Sequence, residues 1–173
     1  ATAAFATLDG DTGAAAVGLA DVAEGTAMQP SSRMLAGSCG KTFVSAIALQ
    51  LVAEGRLTLD APLRELLGAA PWFERLPNAD DLTLRHLLGH TSGVPDHVWS
   101  ADFAAALAAE PDRAWRPDEL VAFVLGAEPL FAAGADFGYA DTNYVLAGLA
   151  IEHLTRESYY SELRQRLLAP LEL

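Results

Sequence analysis

Leu35-Ala36-Gly37-Ser38-Cys39-Gly40-Lys41-Thr42-Phe43 is the stretch on which the reading of this 173-residue chain turns. From Lys41 to Ala53 the apolar residues Phe43, Val44, Ile47, Leu51 and Val52 recur at helical spacing, and Gly55 stands where a C-terminal cap belongs. A long helix therefore opens here. Lys41, the only lysine in the chain, follows Ser38 by three residues. Residues three apart share a helical face, so an amine at 41 reaches back to a hydroxyl at 38. A serine hydroxyl becomes a good nucleophile when a neighbouring base removes its proton. Lysine serves as that base when burial or nearby positive charge lowers its pKa, and the positive end of the helix dipole adds to the effect. The same helix start aims the Ser38 backbone N–H at a developing oxyanion. Taken alone, the spacing favours a serine that caps a helix beside a solvated lysine, since the pair is common by chance and serine is a preferred N-cap. A lysine in the first turn opposes the helix dipole, which speaks against that plain reading.

On the N-terminal side, Ala3 to Leu8 and Ala14 to Leu19 are short apolar runs, separated by the turn cluster Asp9-Gly10-Asp11-Thr12-Gly13. This pattern predicts a β-hairpin. Asp21 to Leu35 is polar and reads as irregular. Beyond the long helix the pattern is helical over Leu82–Leu88, Asp102–Ala109, Pro117–Leu125, Asn143–Leu154 and Tyr159–Leu168, with Pro-, Gly- and Asp-rich loops between. Strands followed by helices indicate an α+β class. A lone hairpin is only marginally stable, so further sheet is expected from elsewhere.

Composition narrows the function classes. With 51% hydrophobic and 20% charged residues the chain is globular. Its net charge of −12, with eleven scattered basic residues, excludes a nucleic-acid partner and disfavours anionic membranes. The most apolar stretch, Pro129 to Ile151, is broken by Asp136, Asp141 and Asn143, so no transmembrane segment is expected. One cysteine cannot form an internal disulfide and reports nothing about redox compartment. The chain opens on Ala1 rather than Met, so the lack of a signal peptide leaves localisation undecided.

Three segments carry a resemblance. Leu35 to Phe43 resembles the first motif of class C β-lactamases, serine DD-peptidases and related esterases, in which Ser-x-x-Lys opens a core helix. Leu84-Arg-His-Leu-Leu-Gly-His-Thr-Ser-Gly-Val-Pro95 is similar to the helix and turn that follow in those proteins. Phe137-Gly-Tyr-Ala-Asp-Thr-Asn-Tyr-Val-Leu-Ala-Gly148 is similar to the segment with the second motif, Tyr-x-Asn. The three stand in the family's order and cover nearly the whole chain. The resemblance implies a β-lactamase/transpeptidase-like fold, with strands of the sheet region in 1–36, the Ser-x-x-Lys helix in 37–55 and a helical domain in 56–173. It implies catalytic roles for Ser38, Lys41 and Tyr139, with Tyr139 relaying a proton between serine, lysine and leaving group. It implies no cofactor or metal, a small-molecule or peptide acyl substrate, and a periplasmic or secreted setting.

Two departures qualify this. Position 141 is Asp where the second motif usually has Asn, so a residue expected to bind substrate cannot donate a hydrogen bond when ionised, and it raises the pKa of Lys41. The third motif, Lys-Thr-Gly or His-x-Gly, is absent: there is no second lysine, and none of His86, His90, His97 or His153 is followed two residues later by glycine. The sheet strands that follow in the family are thus expected to be missing. The chain is expected to be a fragment, a cleaved form or one chain of a split protein, and a poor catalyst alone. Intact mass set beside the length of the gene product tests this.

Several residues are set aside. Cys39 lies about 100° around the helix from Ser38 and is expected to pack in the interior. His86 and His90 have the i, i+4 spacing of metal ligands, but no third ligand accompanies them, and the resemblance assigns His90 to a structural turn. Among Trp72, Trp99 and Trp115, Trp99 is the candidate to line a substrate cleft because it follows that turn. The leading expectation is a serine hydrolase acting through an acyl-enzyme, of β-lactamase, D-amino-acid carboxypeptidase or esterase type. The competing one is a non-catalytic member that binds a ligand or partner, with Ser38 a mere cap. An open sheet edge is expected to recruit a second chain or a second copy, which a strictly monomeric protein with no unpaired strand would rule out.

Overall fold

The computed structural model describes residues 1–173, which form two compact units, Ala1–Gly37 and Ser38–Leu173. In the first, β1 (Thr2–Ala6) and β2 (Thr12–Ala16) pair antiparallel from Thr2 opposite Ala16 to Ala6 opposite Thr12. The connecting turn closes through the Thr7 N–H on the Asp11 carbonyl (2.8 Å) and the Asp11 N–H on the Thr7 hydroxyl (3.0 Å). Phe5 faces Gly13 across the pair, and its ring occupies the space a Cβ at 13 would need. Both outer edges of this two-stranded sheet are unpaired.

The second apolar run was expected to stay in that hairpin as far as Leu19, and the residues from Asp21 onward to be irregular. Instead β2 ends at Ala16, and β3 (Leu19–Asp21) pairs with β4 (Thr26–Ala27) in a second, smaller hairpin. Gly18, with φ of 90°, turns the chain out of the first pair, a conformation that costs glycine little. The Asp21 carboxylate then accepts the N–H groups of Ala23 and Glu24, folding the chain back on itself.

The second unit is helical. After a short 3₁₀ turn at Gly37–Cys39, α1 (Gly40–Ala53) buries Val44, Ile47, Ala48 and Leu51, one stripe at i, i+3, i+4 and i+7. Gly55, with φ of 70°, ends it, and the Arg56 N–H returns to the Leu51 carbonyl. The short helices α2 (Arg64–Leu67), α3 (Leu84–Leu88), α4 (Ala101–Ala109) and α5 (Pro117–Ala122) lead to α6 (Asp141–Thr155). α6 lies at the centre of the unit, touching α1, α2, α3 and α5. Its face of Asn143, Leu146, Ala147, Ala150 and Ile151 meets Ile47, Leu51, Phe73, Leu84, Leu87 and Val121 in one core.

α3 begins two residues later than the apolar pattern suggests, because the Thr83 hydroxyl caps it and Leu82 is taken up by pairing with the Leu63 N–H (2.7 Å). Where a single helix was expected over Tyr159–Leu168, α7 (Tyr159–Leu163) widens into a π turn at Arg164–Leu168. Arg166 in that turn pairs with both Glu54 and Glu162, tying the chain end to the end of α1. No helix is long and apolar enough to cross a membrane.

Candidate active site

The 3₁₀ turn before α1 and the extended segment before α6 bring together residues about a hundred positions apart. Ser38 Oγ lies 2.7 Å from Tyr139 Oη, and Lys41 Nζ donates to Ser38 Oγ at 3.3 Å. Lys41 Nζ also hydrogen-bonds Asp141 and stands 4.9 Å from the centre of the Tyr139 ring. Ser38, Lys41, Tyr139 and Asp141 thus form one bonded set. The Lys41 side chain is 17% exposed and that of Asp141 38%, so this ion pair is partly desolvated.

Burial pushes the Lys41 ammonium toward its neutral form, but the hydrogen bonds and charge of Asp141 and then Tyr139 outweigh it. The net result is a pKa above the ordinary lysine value. This is the opposite of what a free lysine base needs, and it follows from the carboxylate at 141. Asp141→Asn removes that carboxylate, so the proton leaves the site at lower pH. If Lys41 serves Ser38 as base, the acid limb of the pH–rate profile is expected to move down and the reaction near pH 7 to speed up several-fold. A profile of Ser38 reaction rate from pH 5 to 10 in both proteins checks this, and an unmoved limb refutes it.

Several partners were not legible from the sequence. His90 was assigned only to a turn, yet its ring stacks on that of Tyr139 at 4.4 Å and 26°. Ser92 and Asn143 are fully buried and bonded at 2.6 Å beneath the site. Tyr144 Oη donates to the Leu88 carbonyl, sits 3.1 Å from Ser45 Oγ, and its ring faces Lys41 at 5.7 Å. His97 is held neutral by burial, against the opposing pull of Asp96 and Asp141. It meets the Thr142 hydroxyl through both its backbone N–H and Nδ1 at 2.9 Å. The one usable signal lay in the dense polar spacing His90-Thr-Ser92 and Thr142-Asn143, polar residues flanked by apolar helices.

Trp99 is 85% exposed, at the end of a 3₁₀ turn, His97–Trp99, in which the Asp96 carboxylate accepts the Val98 N–H at 3.2 Å. With Pro95, Phe123, Leu130 and Tyr139 it lines a cleft of about 340 Å³. Trp115 instead joins Phe103 and Phe123 in an aromatic cluster, and Trp72 packs against the core. Cys39 is exposed rather than packed inside, because it falls in the turn before α1 and not on the helix face that reaches the core.

The Beta-lactamase family model matches residues 1–173, and the chain belongs to that family. Its fold is the β-lactamase/transpeptidase-like one. A D-stereospecific amidohydrolase from Streptomyces sp. is similar in structure, with a TM-score of 0.83 and 32% identity, over 99% of this chain and 49% of that one. A D-amino acid amidase from Ochrobactrum anthropi SV3 has a TM-score of 0.80 and 30% identity, over 99% of this chain and 44% of that one. Penicillin-binding protein 4 of Amycolatopsis lactamdurans is 30% identical over 174 residues, 96% of this chain and 41% of that protein. The chain therefore spans less than half the length of each of these relatives.

Proposed function

We propose that this protein is a serine hydrolase working by acyl transfer, with Ser38 as nucleophile and a D-amino-acid amide or peptide as acyl donor. The observation that carries the reading is the approach of Ser38 Oγ to Tyr139 Oη at 2.7 Å and to Lys41 Nζ at 3.3 Å. One proton removed from the Lys41–Tyr139 pair creates the base, whichever atom gives it up. Ser38 then passes its proton to that pair as Oγ bonds to the carbonyl carbon. The oxyanion that forms faces the Ser38 N–H. Collapse breaks the bond to the leaving amine, which takes the proton from Tyr139 and leaves an acyl-serine. Water attacks that ester, and its proton returns through the pair to Ser38 Oγ, releasing the acid.

Trp99, Phe123 and Leu130 give the cleft beside Tyr139 an apolar wall suited to a hydrophobic side chain of the donor, with Asp141 at the lysine end. The similarity to a D-stereospecific amidohydrolase and a D-amino acid amidase supports an amide of a D-amino acid over a β-lactam. The carboxylate at 141 supports the same choice, since it cannot donate to a β-lactam's acyl-side amide. The unpaired edges of β1 and β2 support pairing with a second chain or a second copy.

A tagged fluorophosphonate tests the chemistry. The label is expected on the peptide containing Ser38 and absent from Ser38→Ala. D-phenylalanine amide, nitrocefin and a p-nitrophenyl ester then sort the substrate class. If Ser38 takes no label and no hydrolysis depends on it, the protein is a binding module in which Ser38 only starts a helix.

A further inference from the structure

Beside the Ser38–Lys41–Tyr139 set stands a histidine that no proton step requires. His90 is 9% exposed and sits in the turn after α3 with φ of 55°. Its carbonyl accepts the Gly138 N–H at 2.9 Å, and its Nδ1 accepts the Ala140 N–H at 3.2 Å. Its ring lies stacked on Tyr139 itself. The backbone on either side of Tyr139 and the face of its phenol are thus all held by one residue. Tyr139 is 45% exposed; its hydroxyl lies 2.7 Å from Ser38 Oγ, and Lys41 Nζ stands 4.9 Å from its ring centre. The one aromatic ring stacked on the phenol is that of His90.

We propose that His90 is a positioning residue, whose Nδ1 and ring hold Tyr139 in register with Ser38 Oγ. The proposal rests on the acyl-transfer reading above for its kinetic consequence, but not for its geometry. A residue that only filled a turn would need the left-handed backbone and the carbonyl bond. Here the side chain makes the further contacts. Asn143 Nδ2 also approaches Nδ1, at 3.3 Å, so both neighbours of that nitrogen are donors and it carries no proton. His90 is accordingly the Nε2–H tautomer. Burial first, and then the charge of Lys41, keep the ring neutral, against the weaker opposing pull of Asp141 and Asp96. The rings of Tyr144 and Phe137 flank it at 5.2 and 6.0 Å without adding charge.

Asparagine tolerates a left-handed backbone and sets its Oδ1 close to where Nδ1 stands, so His90→Asn keeps the acceptor that alanine loses. A misplacement of about 1 Å costs up to about a hundredfold in rate. His90→Ala is therefore expected to slow Ser38 labelling by fluorophosphonate about thirtyfold, and His90→Asn to restore most of it. In a Tyr139→Phe background, where there is no hydroxyl left to aim, His90→Ala should add little. An equal loss in both backgrounds, or asparagine as slow as alanine, overturns the proposal. Imidazole ¹⁵N spectra of the unsubstituted protein provide a test that needs no catalysis. They should show an unprotonated His90 Nδ1 at pH 7, and a protonated one overturns the proposal whether or not Ser38 reacts. Failure of the unsubstituted protein to react with the probe would count against the acyl-transfer reading alone.

Discussion

Lys41→Ala slows the reaction of Ser38 with a fluorophosphonate by about a thousandfold, within the range that a positioned general base contributes. On the proposed acyl-transfer reading the loss arises because Lys41 plays two parts at once. It bonds Ser38 Oγ directly, and its ammonium stands 4.9 Å from the ring centre of Tyr139, its partner in the proposed proton transfer. With alanine at 41, Tyr139 Oη still lies within reach of Ser38 Oγ, but the amine that bonds Ser38 and shares the proton with Tyr139 is gone. Folding suffers little by comparison. The folded-state pKa of Lys41 is raised, so its pairing stabilises the protein below the unfolded lysine value and is lost only as pH climbs through the folded one. At pH 7 the substitution therefore removes that contribution. With Asp141 more than a third exposed, it amounts to under about 1 kcal/mol. Labelling kinetics alongside thermal melts check both halves. A rate loss below about tenfold would remove Lys41 from the proton path.

What was legible in the sequence follows from how local the signal is. α1 was readable because its core-facing residues repeat at one period and its cap is a glycine a few positions on. The first hairpin was readable because two apolar runs flank a turn cluster. The smaller β3–β4 hairpin was not, since its pairing depends on one aspartate side chain and two glycines in a polar segment. Cys39 was misjudged because the helix was extended back to Ser38, whereas a 3₁₀ turn changes the angular position of every residue in it. The meeting of Ser38 with Tyr139 came from motif resemblance and from no periodicity, for the two lie 101 residues apart. The contacts of Ser92 and Asn143, and the stacking of His90 on Tyr139, were not foreseen because a buried hydrogen bond or ring contact leaves little mark on hydrophobic patterning. The polarity of these residues reads as loop until the core closes over it.

That buried layer sets the second large effect. Asn143→Ala is expected to lower the unfolding free energy by about 3 kcal/mol, through a lost hydrogen-bond partner and the cavity left behind. Asn143 has no solvent exposure, and its Oδ1 accepts the Ser92 hydroxyl at 2.6 Å. That hydroxyl oxygen in turn accepts the Val94 N–H, so the serine has its one proton to place and only Asn143 to receive it. Deleting the amide strands a donor where water does not reach, and the full desolvation cost of that group appears. Ser92→Ala removes the donor, so in that background Asn143→Ala should cost markedly less than it does alone. The layer also bears on chemistry, because Asn143 follows Asp141 by two residues on α6 and its amide touches His90. The substitution should then slow Ser38 labelling by more than the unfolded fraction explains. Urea titrations of the four proteins in the cycle measure the coupling. Strict additivity would mean that the Ser92–Asn143 bond contributes nothing, and that the core beneath the site is held by apolar packing alone.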